Sequence, residues 1–553
     1  PVPPSIPCSK RLAISSQIET AWKKILFNQF HDILPGTSIP EVFVTANRDW
    51  EEAIIIGTEI VEEALCAIAR HITLPSPPHP NAQPLLIFNP LNWTRSEVVE
   101  LPHSNKNWTI YTAEGQPLPI QLTRETLLFL ATDIPSIGYR LFWLCESSIT
   151  TSPRLRVTPS PNSPYILENP TLRVTINPQT GDISSLFDKI NQREILNGAG
   201  NQLQAFKDEG QYWDAWNIDP NYQKHPLPPT QLKSIEWLEQ GAIRQRLRVI
   251  RQLNNSQFTQ DYILDTHSPL LNISTTADWQ ERHVLLKAAF PLNLEADFAT
   301  YETACGAIER TTNPKTPAEK AKWEVPALQW ADLTIENEYG VSILNDCKYG
   351  YDAQPNQLRL TLLRGSMWPH PDADRGEHYF SYAIYPHNDS WKTAQTVRKG
   401  YEFNQSLNVI FGNSQEGTSN FFALIPQPLL PSLAEGESQN SRSPSPRIGM
   451  LPSQESEAVP ILPPVASLLD LSAENLILTA FKPTENDPKT YILRCYECHG
   501  KPAELSLNNE LQLNLKHSVN LLEQPLLQQE NDVKNRFDLI QPWKVASFII
   551  SKT

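Results

Sequence analysis

His31 and Asp32 place an imidazole nitrogen beside a carboxylate, and both groups can ligate a divalent metal. They sit in the string Asn28-Gln29-Phe30-His31-Asp32-Ile33-Leu34-Pro35-Gly36-Thr37-Ser38. On residue types alone, two readings stay open. One is a capping Asp with a half-buried His bonded to a carbonyl. The other is one contribution to a metal site, since a single His is far short of the three or four ligands zinc requires.

The elements that would position the pair can be read on either side. Ser16 and Glu19 form a capping-box pattern, and Ile18, Trp22, Ile25, Leu26 and Gln29 follow at helical spacing. Pro35-Gly36 is expected to stop that helix, and Ser38, Pro40 and Glu41 to start the next. Residues 41 to about 71 then read as one long helix, with Val42, Ala46, Trp50, Ala53, Gly57, Ile60, Ala64 and Ile68 on a near-heptad stripe expected to pack in a core. His31 and Asp32 thus fall where one helix runs out and another begins.

Beyond the helices the pattern changes. Pro75 to Pro84 is a proline-rich linker that cannot continue a helix. From Pro84-Leu85-Leu86-Ile87-Phe88-Asn89-Pro90 onward the chain reads as short strands between Pro, Asn and Gly turns. Alternation is clear from Thr171 to Ile176 and from Arg244 to Ile250. The fold class expected is mainly β, the end of a helical bundle followed by stacked antiparallel β-sandwich domains. The Ser, Pro and Glu-rich stretch from Pro431 to Pro464 reads as a disordered insertion before the last β-unit.

Composition bounds the function. A chain of 553 residues corresponds to three or four domains at about 150 residues each. With 40% apolar residues, 14 Trp and 19 Phe, it can bury a sizeable core. The net charge of -15 argues against nucleic acid or an anionic membrane as partner. The sequence contains no run of 18 apolar residues, so no bilayer-spanning helix is expected. Seven widely spread cysteines favour reduced thiols over a disulfide framework. Cys495-Tyr496-Glu497-Cys498-His499 fits the pattern for covalent c-type haem, but it also reads as the end of a strand followed by a His499-Gly500 turn. The strand is the preferred reading. Asn92 and Asn107 head Asn-x-Ser/Thr triplets, a pattern too common to imply glycosylation.

The string around His31 resembles the Asn-Gln-Phe-His-Asp-Ile-Leu-Pro-Gly-Ser/Thr-Ser-Ile motif of glycoside hydrolase family 38, the class II α-mannosidases. Further blocks follow in that family's order. Asp208 to Asp219 is similar to its Tyr-Trp-Asp-Ala-Trp-Asp segment, with Asn217 where Asp is usual. Glu309-Arg310, Trp323 to Pro326 and Trp330 to Leu333 resemble a second block, and Tyr339 to Val341 with Leu344 to Asp352 a third. Leu362-Leu363-Arg364, Asp374 to His378 and Tyr382 to His387 resemble a fourth. Relatives carry a strand like that of Arg494 to Glu497 without the cysteines.

The resemblance implies a retaining, zinc-dependent hydrolase of terminal α-mannosidic bonds in oligosaccharides. The family places a (β/α) barrel first, with the nucleophilic Asp and a His-x-Asp pair of zinc ligands, and no counterpart of these is found here. The chain is therefore expected to be the C-terminal half, inactive alone and with no catalytic residue of its own. Its partners are expected to be a mannose-containing oligosaccharide, the N-terminal catalytic portion and, as an open option, a second copy of itself.

His31 is the implied ligand to Zn2+, and Asp32 the residue that bonds sugar hydroxyls. Tyr212, Trp213, Asp214 and Trp216 are substrate-binding candidates, since aromatic faces stack on pyranose rings, and a tightly packed aromatic turn is the alternative. Asp374, Arg375, Glu377 and His378 read rather as an Arg-carboxylate network. Asp346 and Lys348 read as a turn between strands. The expected organisation is 1–74 for the end of the helical middle domain, 75–84 linker, 85–430 large β-sandwich region, 431–464 insertion and 465–553 terminal β-sandwich unit. A cytoplasmic location is expected. A non-catalytic carbohydrate-binding or scaffolding subunit is the other function considered.

Overall fold

The structure, a computed structural model, describes residues 8–102, 107–146, 165–210, 212–413, 421–425, 462–485, 487, 489–526 and 538–552. The insertion expected from Pro431 to Pro464 lies outside the described residues as far as position 461. The chain is mainly β, with two long helices at its start. Among the described residues no helix is long and apolar enough to cross a membrane.

Helix α1 spans Cys8–Phe27 and α2 spans Pro40–Ala69. They pack through small side chains, Ala21 against the face carrying Ala46 and Ala53, and Lys24 pins the pair by reaching Asp49 and Glu52, each at 2.8 Å. Two expectations about their ends need correction. Ser16 and Glu19 lie inside α1 rather than at its start, and Ser16 uses its carbonyl to accept from Thr20 Oγ1 at 2.8 Å. The second helix begins at Pro40 without a side-chain cap, because proline removes one of the orphan N–H groups a cap would serve.

The α2 stripe is only partly core. Ala46 and Ala53 are buried against α1, and Cys66 and Ala69 against the first sheet, but Gly57 and Ala64 are exposed. One partner helix covers a narrow seam. Trp22, Leu26, Phe27, Phe30, Leu34, Val44, Ile54, Ile55 and Val61 consequently remain open.

The chain from Thr73 to Ala82 is irregular, and the first sandwich starts at Gln83. Gln83–Asn89 pairs on one side with Gly138–Glu146 and on the other with Asn408–Asn413, within a seven-stranded sheet. Alternation divides its side chains. Leu85 and Ile87 face the three-stranded sheet of Arg95–Pro102, Ile120–Leu122 and Thr126–Ile134, while Leu86 and Phe88 face the end of α2. Val465–Ser467 closes onto Gly138–Glu146, and a Cβ at Gly138 would collide with the Ala466 carbonyl. The first sandwich is thus completed by strands that follow the second in sequence.

The second sandwich is larger. A nine-stranded antiparallel sheet, running from Gln231–Gln240 at one edge to Gly306–Thr311 at the other, faces a five-stranded and a four-stranded sheet. The predicted alternation is present, with Leu172, Val174, Ile176, Leu247 and Val249 inward. Its interior also holds charge. Arg251 is fully buried and donates to Asp182 at 2.6 Å and to Tyr262 at 3.2 Å, and Gln260 accepts from it as well. Lys287 is fully buried among Glu324, Asp352 and Thr361.

The loop after Tyr339–Asn345 contains Asp346 and Lys348, as expected for a turn. Asp346 accepts from Ser381 N at 2.8 Å, and the Lys348 ammonium lies 4.3 Å from the centre of the Phe380 ring. Beside it, Glu302 is buried and accepts from Gln329 N at 2.6 Å. Burial pushes its carboxyl up to about 7. The folded state then holds this proton more tightly than the unfolded chain does. Its contribution to stability is greatest below the ordinary carboxylate range and is lost as pH rises toward 7, by up to about 3 kcal/mol. Urea unfolding at pH 5 and pH 7.5 should show that Glu302→Gln loses this part of the slope.

The terminal unit pairs Leu476–Pro483, Thr490–Glu497, Val545–Lys552 and Leu513–Val519. It decides the reading of the Cys-x-x-Cys-His string. Cys495 packs into the unit's core beside Leu493, and Cys498 packs in a different cluster with Trp391 and Tyr496. The two thiols face opposite ways and cannot share one porphyrin. His499 packs edge-on against Trp391, and burial lowers its imidazole to about 4. Glu497 organises the turn by accepting from the backbone N–H groups of His499, Gly500 and Trp543 at 2.7, 2.8 and 2.9 Å.

Candidate sugar and metal site

After Phe27 the chain makes tight turns instead of continuing α1. Ile33 N donates to Phe30 O at 2.9 Å and Gly36 N to Ile33 O at 3.0 Å, and Gly36 takes φ +78°, where a side chain would be strained. Thr37 fixes Asp32 twice. Its N–H donates to the Asp32 carbonyl at 3.2 Å, and its hydroxyl to Oδ1 at 3.0 Å. Asp32 is therefore a turn anchor with a second carboxylate oxygen, Oδ2, facing His31 Nε2 at 3.5 Å.

His31 is 79% exposed, with its ring centre 4.2 Å from that of Phe30. A half-buried histidine tied to a carbonyl is not what this position holds. The donor set is one imidazole and one carboxylate, and no group of three or more His, Cys, Asp or Glu able to hold a metal occurs among the described residues. The two suit zinc in kind but fall short of the three or four ligands such a site needs.

The second candidate region lies on the loop after Gln202–Lys207. Trp213, at φ +55°, leads into a short 3-10 turn of Asp214–Trp216. Tyr212, Trp213 and Trp216 are 76%, 63% and 44% exposed, so their rings lie outside the sandwich core. Asp214 is different, with a side chain 12% exposed. Its Oδ2 accepts from Met367 N at 2.6 Å, and its Oδ1 lies 3.4 Å from Arg364 Nη2. Arg364 also donates through Nε to Asp208 at 2.5 Å, and Ala215 N donates to the Trp368 carbonyl at 3.1 Å.

These bonds bring in a residue that sequence reasoning passed over. Trp368 is 49% exposed, and its ring centre lies 5.4 Å from those of both Trp213 and Trp216. The only signal available was a tryptophan in a Pro-rich loop, Met367-Trp368-Pro369-His370-Pro371. The same loop reaches the helices, since the His370 and Phe43 rings are 6.2 Å apart centre to centre. Phe43 is in the first turn of α2, directly after the His31 turn. The Trp368 loop therefore touches the first turn of the helix that follows the His31 turn in sequence.

Of the Asp374 to His378 segment, Arg375 joins an Arg-carboxylate network centred on Asp372, just outside it. Asp372 pairs with Arg282 at 2.7 Å and Arg375 at 2.8 Å. His378 Nε2 lies 2.6 Å from the Asp374 carbonyl, and Tyr379 donates to Glu377 at 3.0 Å.

Three family descriptions match the chain in order. Residues 9–68 match the alpha mannosidase middle domain, 167–372 the glycosyl hydrolases family 38 C-terminal domain, and 475–548 the family 38 C-terminal beta sandwich domain. The chain belongs to glycoside hydrolase family 38. It corresponds to the C-terminal portion of that family.

Among relatives, it is 28% identical to human alpha-mannosidase 2C1 over 97% of this chain and 46% of the human protein. To the alpha-mannosidase of Saccharomyces cerevisiae it is 26% identical, over 97% of this chain and 43% of the yeast protein. The chain thus spans about half the length of the curated relatives it matches. Among solved structures, an alpha-mannosidase from Enterococcus faecalis V583 superimposes with a TM-score of 0.75 at 15% identity, covering 97% of this chain and 63% of that one. That likeness speaks to the fold.

Proposed function

We propose that this chain is the C-terminal half of a retaining, zinc-dependent α-mannosidase that removes terminal α-mannosyl residues from oligosaccharides. The observation that carries the reading is an exposed His31-Asp32 pair, held on a fixed turn, whose donor set is too small to work alone. The family assignment supplies the context in which such a partial set makes sense.

In this account His31 contributes a neutral imidazole to a carboxylate-rich zinc site without adding negative charge. A zinc ion bound there supplies Lewis acidity and a grip on vicinal sugar hydroxyls. Asp32, held by Thr37 through Oδ1, keeps Oδ2 to accept from a sugar hydroxyl. The aromatic loop of Tyr212, Trp213 and Trp216 offers apolar faces to the sugar, and Asp214 holds that loop in place. The nucleophilic carboxylate and the remaining ligands come from an N-terminal portion.

The exposed apolar side chains of Trp22, Leu26, Phe27, Val44, Ile54 and Ile55 support that partner, since so much open apolar surface on two helices fits a covering domain. Six described cysteines are free thiols, in keeping with a reducing compartment such as the cytoplasm.

The test is a panel of aryl glycosides given to this chain joined to the N-terminal portion. Hydrolysis of the α-mannoside alone, with the α-anomer of mannose as first product by NMR, is expected. Preference for a β-mannoside or an α-glucoside, or a β-anomeric first product, would contradict the proposal.

A further inference from the structure

We propose that Trp213, Trp216 and Trp368 form a prebuilt platform for a second hexopyranose ring of the substrate, beyond the ring held at His31 and Asp32. The proposal rests on the mannosidase reading and adds Trp368, on a separate loop, as its central residue.

The platform is assembled by polar bonds rather than by burial. Its three ring centres lie 5.4, 5.4 and 6.1 Å apart, yet every indole keeps 44% or more of its surface open. The Asp214 carboxylate accepts from Met367 N, and Ala215 N donates to the Trp368 carbonyl, so two loops more than 150 residues apart in sequence are tied at the point where the rings meet. Arg364 backs this tie by reaching both Asp208 and Asp214.

Trp213 also adopts a left-handed backbone, which costs a bulky L-residue about 1 kcal/mol or more and persists only where the surroundings impose it. The indole at this position is exposed.

The choice of occupant follows from what surrounds the rings. The Trp368 loop continues into the exposed Arg282–Asp372 ion pair and Arg375, and His283 lies 3.8 Å from Asp214. Apolar rings edged by hydrogen-bonding groups of both signs suit a ligand with a C–H face and hydroxyl edges, which is a pyranose. A covering protein domain would leave those charges desolvated. The loop meets the first turn of α2, the helix after the His31 turn, through His370 and Phe43, and the proposal takes the platform's ring as the neighbour of the one held at His31 and Asp32.

The experiment compares α-mannosyl fluoride, which carries no second sugar, with α-1,2-, α-1,3- and α-1,6-mannobiose, using this chain joined to its N-terminal portion. For Trp368→Ala, kcat/KM on the preferred mannobiose should fall about tenfold, mostly through KM, and at least fivefold more than on the fluoride. Trp368→Phe should restore most of the loss. Equal losses on both substrates, or none on mannobiose, overturn the platform while leaving the mannosidase reading intact.

A second measurement stands apart from catalysis. Tryptophan fluorescence of the 553-residue chain should show a saturable shift with mannobiose that Trp368→Ala abolishes. If neither substrate is hydrolysed by the unaltered enzyme, the mannosidase reading fails and this titration alone decides the platform. Absence of a saturable shift then overturns it.

Discussion

Replacing His31 by alanine lowers kcat/KM of the joined enzyme for an aryl α-mannoside on the order of a hundredfold or more, with no change in the unfolding transition of the 553-residue chain by itself. The size follows from removing a direct metal ligand, since losing even an outer-shell partner of a ligand costs roughly 10- to 100-fold. The unchanged stability follows from the structure. His31 is exposed, lies against the neighbouring Phe30 ring and faces Asp32 Oδ2, and the turn is held by Thr37, Asp32 and Gly36 rather than by the imidazole. Activity and folding are therefore separable at this position. A thermal melt of the chain by itself, run beside the hydrolysis assay of the joined enzyme, makes the comparison, and a lowered Tm of the metal-free chain would assign His31 a structural role.

Lys287→Met is expected to have the largest effect on stability, about 3–5 kcal/mol, the loss typical when one partner of a buried ion pair is removed. The Lys287 ammonium is fully buried, donates to Asp352 and to Thr361 at 2.8 Å each, and pairs with Glu324. Methionine fills similar volume but leaves the Glu324 carboxylate without a counter-charge. Asp352 keeps Arg359 at 2.8 Å. The Tyr222 ring lies over the ammonium at 5.2 Å and anchors the segment leading back to the aromatic loop. Urea unfolding measures the effect, and the double variant with Glu324→Gln should recover part of it by removing the stranded charge. A shift below about 1 kcal/mol would show that the pair is not the isolated charge cluster described.

Local pattern carried much of this fold. Alternating runs such as Leu172 to Ile176 and Arg244 to Leu253 are strands with inward Leu, Val and Ile, because a two-residue period admits one burial pattern once a core exists on one side. The α2 helix was legible from its periodicity. Its environment was not, since spacing alone cannot say whether one helix or several cover a stripe.

Non-local pairing was also out of reach. Nothing in Asn408–Asn413 or Val465–Ser467 announces that they complete the sheet begun at Gln83–Asn89. The Ser16-x-x-Glu19 pattern misled because the same residues occur harmlessly on an exposed helix face.

Within the site, His31 and Asp32 were found through a contiguous string. Their division of labour, an exposed imidazole and a tethered carboxylate, required coordinates. Asp214 was grouped with its aromatic neighbours by adjacency, but its carboxylate is turned inward to Met367 and Arg364. Trp368 is absent from any local pattern because its partners lie more than 150 positions away.

The central claim is that this chain completes a metal-dependent active site it cannot form alone. The most direct test measures bound zinc and α-mannoside hydrolysis for the chain alone and for the chain joined to its N-terminal portion. The account predicts neither tight zinc nor turnover in the first, and both, at one zinc per molecule, in the second. Metal-dependent hydrolysis by the chain alone, or full zinc and turnover in a joined enzyme carrying His31→Ala, would contradict it.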